Sequence, residues 1–134
     1  MKPLIYIAGP FSAPHEDQVD INIDTAEVFA RCLIQRDIHC VCPHSLGRNF
    51  KSTGSYKYWI DVTMRLLETC DAVLLLPGWK DSPGTLGEIA AAEDLGLPVF
   101  TTLSDVIDFD RHWSKIEGAH ACSGKCKCGK TQIS

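Results

Sequence analysis

Glu88 ends a segment, Ser82-Pro83-Gly84-Thr85-Leu86-Gly87-Glu88, in which a loop of small residues gives way to a helix that carries a carboxylate in its first turn. Small residues at Ser82 and Gly84 let a ligand approach the backbone, and free N–H groups at a helix start favour anions, so a phosphate can sit there. A carboxylate beside such a seat can attack an anomeric carbon, as carboxylates do in glycosidases. Glu88 as a plain partner of the helix dipole is the competing reading. No GK[ST] follows the loop and it is not GxGxxG, so neither ATP hydrolysis nor dinucleotide binding is supported.

Other reactive or ligand-binding types fall where they could meet Glu88. Tyr6 lies near the end of a first apolar run, and its phenol can hydrogen-bond a carboxylate or a sugar, or be a core aromatic. Gly9, Pro10 and Phe11 follow it directly. His44 follows a second run, and Trp79, which can stack on a flat ring or cover the core, precedes the Glu88 loop. Asp61 is expected in the first turn of a helix, where a dipole partner and a functional acid are equally plausible. Asp71 is expected at the far end of its strand, as a turn residue.

The elements that must hold these residues alternate along the chain. Apolar runs at Leu4–Ala8, Ile38–Cys42, Ala72–Leu76 and Pro98–Thr101 read as strands. They show no polar alternation, as expected of parallel strands covered on both faces. Helices are expected from about Asp17–Asp20 to Arg36, with Ile21, Ala26, Val28, Phe29, Leu33 and Ile34 as apolar positions. Further helices are expected over Trp59–Thr69 (stripe Ile60, Met64, Leu67), Leu86–Leu95 with Gly96 as its cap, and Asp105–Phe109 capped by Ser104. His44–Tyr58 reads as a long, mobile loop with room for a short helical turn. The alternation implies an α/β fold, a flavodoxin-like, Rossmann-like three-layer sandwich with a four- or five-stranded parallel sheet. In such sheets ligands bind outside the carboxyl ends of the strands, which is where Tyr6, Gly9, His44 and the Glu88 loop converge.

Composition narrows the class. The chain has 134 residues, 45% hydrophobic, enough for one domain of ordinary size. A formal net charge of −4 gives no broad grip on nucleic acid. No apolar run approaches the roughly 20 residues that span a bilayer, and the start is too short for a signal peptide. The expected setting is therefore cytoplasmic and reducing, with the seven cysteines mostly free. Residues 1–117 are expected to form the domain and 118–134 a tail rich in Cys, Lys and Gly. The tail holds His120, Cys122, Cys126 and Cys128, a spacing unlike the usual zinc pairs; free thiols are the favoured reading over a zinc site.

Tyr6-Ile7-Ala8-Gly9-Pro10, Asp61 and Ser82-Pro83-Gly84-Thr85-Leu86-Gly87-Glu88 resemble the nucleoside 2-deoxyribosyltransferase family, which includes 2′-deoxynucleoside 5′-monophosphate N-glycosidases. The resemblance covers roughly residues 4–101. It implies Glu88 as a nucleophile that forms a covalent glycosyl intermediate, Asp61 as an assisting acid, and Tyr6 as the group that orients Glu88. It also implies that Ser82 and Gly84 belong to a 5′-phosphate grip and that Gly9 lies beside it. Pro10 departs from this pattern, standing where phosphate-binding members carry Ser. The implied function is cleavage of the N-glycosidic bond of a nucleoside or nucleoside 5′-monophosphate, by hydrolysis or base transfer, without a cofactor or metal. A homodimer or larger homo-oligomer with a small-molecule partner is implied as well. A non-catalytic nucleotide-binding or sensing module on the same fold is the alternative.

Overall fold

The computed structural model describes residues 1–50 and 53–114. The four tail ligand candidates, from His120 to Cys128, lie outside them. The sheet begins with β1 (Leu4–Ala8), whose side chains alternate between two cores. Ile5 and Ile7 pack into one cluster, Tyr6 and Ala8 into the other. β2 (His39–Val41), β3 (Ala72–Leu75) and β4 (Val99–Phe100) pair parallel in the order β2-β1-β3-β4. Ala72 and Leu74 join the side of Ile5, whereas Val73 and Leu75 join that of Tyr6.

Helices cover both faces, giving the expected three-layer flavodoxin-like sandwich. α1 (Glu16–Gln35) packs Ala26, Ala30 and Leu33 on the Ile5 face, where α5 (Leu103–Arg111) adds Val106. α3 (Tyr56–Glu68) and α4 (Pro83–Asp94) cover the Tyr6 face through Leu67 and Ala92. A short α2 (His44–Asn49) docks on α1. There Ser45 Oγ donates to Glu27 Oε2 at 2.7 Å, and Arg48 Nη2 meets Asp24 Oδ1 at 2.5 Å.

Several element boundaries differ from expectation, each for a local reason. The stretch after His44 is not a long loop, because α2 starts at once and α3 begins at Tyr56, three residues early, capped by the Ser55 hydroxyl. α4 starts at Pro83, with Ser82 as N-cap, because proline at the first helical position loses only an N–H that has no helical partner. Glu88 is therefore in the second turn, not the first. α5 is capped by Thr102, not Ser104. On α1 the buried stripe is Ile23, Ala26, Ala30 and Leu33; Ile21, Val28 and Ile34 are exposed, since the two alanines set the phase of the helix against the sheet. No helix among the described residues is long and apolar enough to cross a membrane.

The sheet is pinned at both ends. At the amino end Asp71 accepts from the Leu4 N–H at 2.9 Å and returns its own N–H to Leu4 O at 2.8 Å, as expected of a structural residue away from the cleft. At the carboxyl end the Leu76 N–H donates to Ala8 O at 2.8 Å. This draws Leu76 over Gly9, where a Cβ would lie 2.5 Å from Leu76 Cβ. Gly9→Ala must push β1 and β3 apart at that end. It is expected to lower unfolding free energy by about 1–3 kcal/mol, read from urea denaturation.

Candidate active site

A cleft of about 960 Å³ opens outside the carboxyl ends of β1 and β3. The strand order reverses between these two strands, and that is where open parallel sheets place ligands. Gly9, Pro10 and Phe11 leave β1 into it. Pro77 and Gly78 leave β3, with Gly78 at φ 86° in the left-handed region that favours glycine. Ser82, Gly84 and Glu88 reach it from α4, and His44 from the start of α2.

In the cleft lining, Tyr6 Oη donates to Glu88 Oε2 at 2.5 Å. Burial raises the Glu88 pKa from 4.5 to about 7, against the opposing pull of the Tyr6 hydrogen bond. Burial, then the nearby Glu88 charge, pushes the Tyr6 phenol well above its ordinary range, so it stays a donor. The pair is thus one poised carboxyl held by one fixed O–H. α4 carries Glu88 six positions past its N-cap, where the free N–H groups and dipole of the helix end no longer favour its charge.

His44 is buried, with Nε2 3.0 Å from Pro10 O, and burial lowers its pKa. The neutral ring donates from Nε2 and holds the turn after β1. Its Nδ1 is buried without a partner. Phe11 meets the His44 ring edge-on at 5.7 Å and lies against Gly47 of α2, where a Cβ would fall 2.3 Å from Phe11 Cζ. The Asn22 side-chain amide donates to Phe11 O at 3.0 Å, completing the grip on this loop.

Two expected residues lie elsewhere. Asp61 is not brought into the cleft of its own chain. It sits on the exposed face of α3, paired with Lys57 at 2.7 Å, and also in the second turn, because α3 starts early. Each helical residue advances by about 100°, so Ile60 and Thr63 face inward while Asp61 between them does not. Trp79 is half-buried against the Tyr6-side core with Lys80 Nζ 5.6 Å over its ring, and it does not line the cleft.

The aromatic wall comes from other residues. Phe50, Tyr56 and Trp59 line the cleft with Phe11. Phe50 and Trp59 stack at 6.4 Å, and Trp59 Nε1 donates to Thr53 O at 2.7 Å. The signal was available in the spacing: Tyr56, Trp59, Ile60 and Thr63 form an i, i+3, i+4, i+7 stripe on α3. Asp81 also lines the cleft, beside Ser82.

Residues 3–101 match the family described as Domain of unknown function (DUF4406). The chain belongs to this family. No curated protein matches it. All the residues that line the cleft fall inside the DUF4406 segment, whereas α5 lies beyond it. Among the described residues no group of three or more His, Cys, Asp or Glu side chains is placed to hold a metal ion. Cys32, Cys40, Cys42 and Cys70 are free; only Cys70 is fully buried, and burial pushes its thiol up to about 12.

Two outcomes follow from the Tyr6–Glu88 pair. Tyr6→Phe removes the donor that favours the carboxylate, so the Glu88 pKa should rise above about 7 in a carboxyl-carbon NMR titration. Because the folded pKa exceeds the ordinary 4.5, the Glu88 contribution to stability is complete below pH 4.5 and is lost as pH rises to about 7. Glu88→Gln, which keeps the neutral form, should match wild type at pH 4. At pH 8 it should be more stable by about 1–3 kcal/mol in urea.

Proposed function

We propose that this DUF4406 chain cleaves the N-glycosidic bond of a nucleoside or nucleoside 5′-monophosphate through a covalent glycosyl–Glu88 intermediate, ending in hydrolysis or base transfer. The observation that carries the reading is the 2.5 Å Tyr6–Glu88 hydrogen bond beside an aromatic wall. Glu88 shares the cleft lining with Phe11, Phe50, Tyr56 and Trp59, a setting that suits a flat ring joined to a sugar. The resemblance of the Tyr6–Pro10 and Ser82–Glu88 segments to the nucleoside 2-deoxyribosyltransferase family supports the same roles.

In this mechanism the base stacks along Phe11, Phe50, Tyr56 and Trp59, and the sugar lies over Glu88. Tyr6 holds Oε2, which leaves Oε1 to attack C1′. The C1′–N bond breaks with its electron pair going to the base nitrogen, which takes a proton, while the C1′–Oε1 bond forms. Water, or the nitrogen of a second base, then attacks C1′ and releases the Glu88 carboxylate; the attacking group gives its proton to solvent. The nucleophile must be ionised, so kcat/KM is expected to climb as pH rises through about 7 and then level, a profile read from initial rates of base release. Asp61 takes no step within a single chain, and departure of the base rests on hydrogen bonds to its ring and on solvent protons. A homodimer or larger assembly, which the resemblance implies, is part of this reading.

The deciding experiment is chromatographic detection of free base from a panel of nucleosides and monophosphates. Glu88→Ala should lower base release by at least about a thousandfold while binding persists. Wild type that binds these ligands and releases no base points instead to the sensing module.

A further inference from the structure

Cys40 sits in β2 and Cys42 follows that strand directly. Both side chains pack against the Ile5-side core, whereas Val41 between them packs on the Tyr6 side. The two thiols therefore share one face of the sheet. Pro43 restricts Cys42 to extended backbone, which carries the strand spacing one residue past the last pairing, Tyr6 with Val41. β2 is an outer strand, and its Ile5-side face borders a second cavity, of about 300 Å³, against α1. Cys40 and Cys42 both line it, with Glu27 and Arg31 of α1 and Ser45 of α2. Neither thiol is fully buried and neither is in a disulfide. Cys70 is the contrast: it is buried, its thiol donates to Leu66 O at 3.3 Å, and it does not line this cavity.

The spacing decides what the pair can do. Same-face residues of an extended strand lie about 6.6 Å apart. A disulfide needs its two Cβ atoms at about 3.5–4.5 Å, so this pair cannot close on itself while the strand persists. Two metal–sulfur bonds, each about 2.3 Å in thiolate sites, bridge about 4.6 Å. Sulfurs one bond beyond their Cβ atoms reach that separation by leaning toward one another. Thiolates select soft ions. Among the described residues no third His, Cys, Asp or Glu joins the pair in a metal-holding group. Two sulfurs in line satisfy Cu(I), whereas zinc asks for four ligands.

We propose that Cys40 and Cys42 form a binding site for a single Cu(I) ion, held between their two sulfurs at the edge of the sheet. Burial keeps both thiols protonated in the metal-free chain. Binding sends the two protons to solvent and leaves a bis-thiolate complex of charge −1. Copper enters and stays as Cu(I), so no electron is transferred. Arg31 brings an opposite charge to the same wall. Glu27 is already engaged, by the Ser45 hydroxyl at 2.7 Å and Arg48 at 3.3 Å. The site lies across the sheet from Tyr6 and stands apart from the glycosidic reading.

The test uses the full chain carrying Cys122→Ser, Cys126→Ser and Cys128→Ser, which removes the competing thiols of the tail. The reduced protein is titrated anaerobically with Cu(I) against a chromophoric Cu(I) chelator. One equivalent should be retained. Cys40→Ser and Cys42→Ser should each weaken retention by more than about a hundredfold, beyond the cost of losing a supporting contact. Cys32→Ser should leave it unchanged. No retention, retention that survives both Cys40→Ser and Cys42→Ser, or equal retention of Zn(II) overturns the proposal. If either serine variant fails to fold in urea denaturation, X-ray absorption of the loaded parent protein decides. Two sulfurs at one short distance are expected there, and a shell of three or more ligands overturns the site.

Discussion

The Tyr6–Glu88 hydrogen bond is the constraint around which this molecule is arranged. It joins the central strand to the helix that follows its neighbour, across 82 positions of sequence. Its length depends on β1 and β3 meeting at full register up to Ala8 and Leu75. Tyr6 is also a core residue, wholly enclosed in the layer formed with α3 and α4. The geometry at the carboxylate is thereby set by the hydrophobic packing that encloses Tyr6 and by a hydroxyl whose partner is fixed. That combination leaves Glu88 close to half-ionised near neutrality, a state that a solvent-exposed glutamate does not reach.

The fold was legible in the sequence to a useful depth, because continuous apolar runs and the alternation of elements report burial directly. The β1 bounds, the parallel three-layer class, the structural role of Asp71 and the position of the cleft all follow from patterns that tertiary contacts do not override. Strand ends placed Tyr6 to Gly9, His44 and the Trp79 to Glu88 loop at one edge; Tyr6, Gly9, His44, Ser82, Gly84 and Glu88 line the cleft, whereas Trp79 of the same loop does not.

What was not legible depended on helix starts. Gly84 and Gly87 make the first turns of α4 look like loop, and only the Ser82-Pro83 pair marks the true start. Ser55 marks the start of α3 in the same way. An error of three residues in a helix start changes which residues count as its first turn, and with it the expected role of Glu88 and Asp61. Trp79 and Trp59 show the complementary difficulty. Both are large aromatics next to plausible loops, and residue type cannot tell which covers core and which faces a ligand until the helical phase is fixed.

The packing of Phe11 on Gly47 has a different kind of consequence. The ring that narrows one side of the cleft is seated by α2, which is itself held by the polar contacts of Ser45 and Arg48 to α1. The reacting pair belongs to β1 and α4, and Tyr6 is buried in the opposite layer of the sandwich. Shape selection and chemical reactivity are housed on separate structural supports. Drift in the α1–α2 seam can alter what fits while the carboxylate and its phenol stay unchanged, so chains sharing this architecture are free to diverge in ligand size without rebuilding the reacting centre.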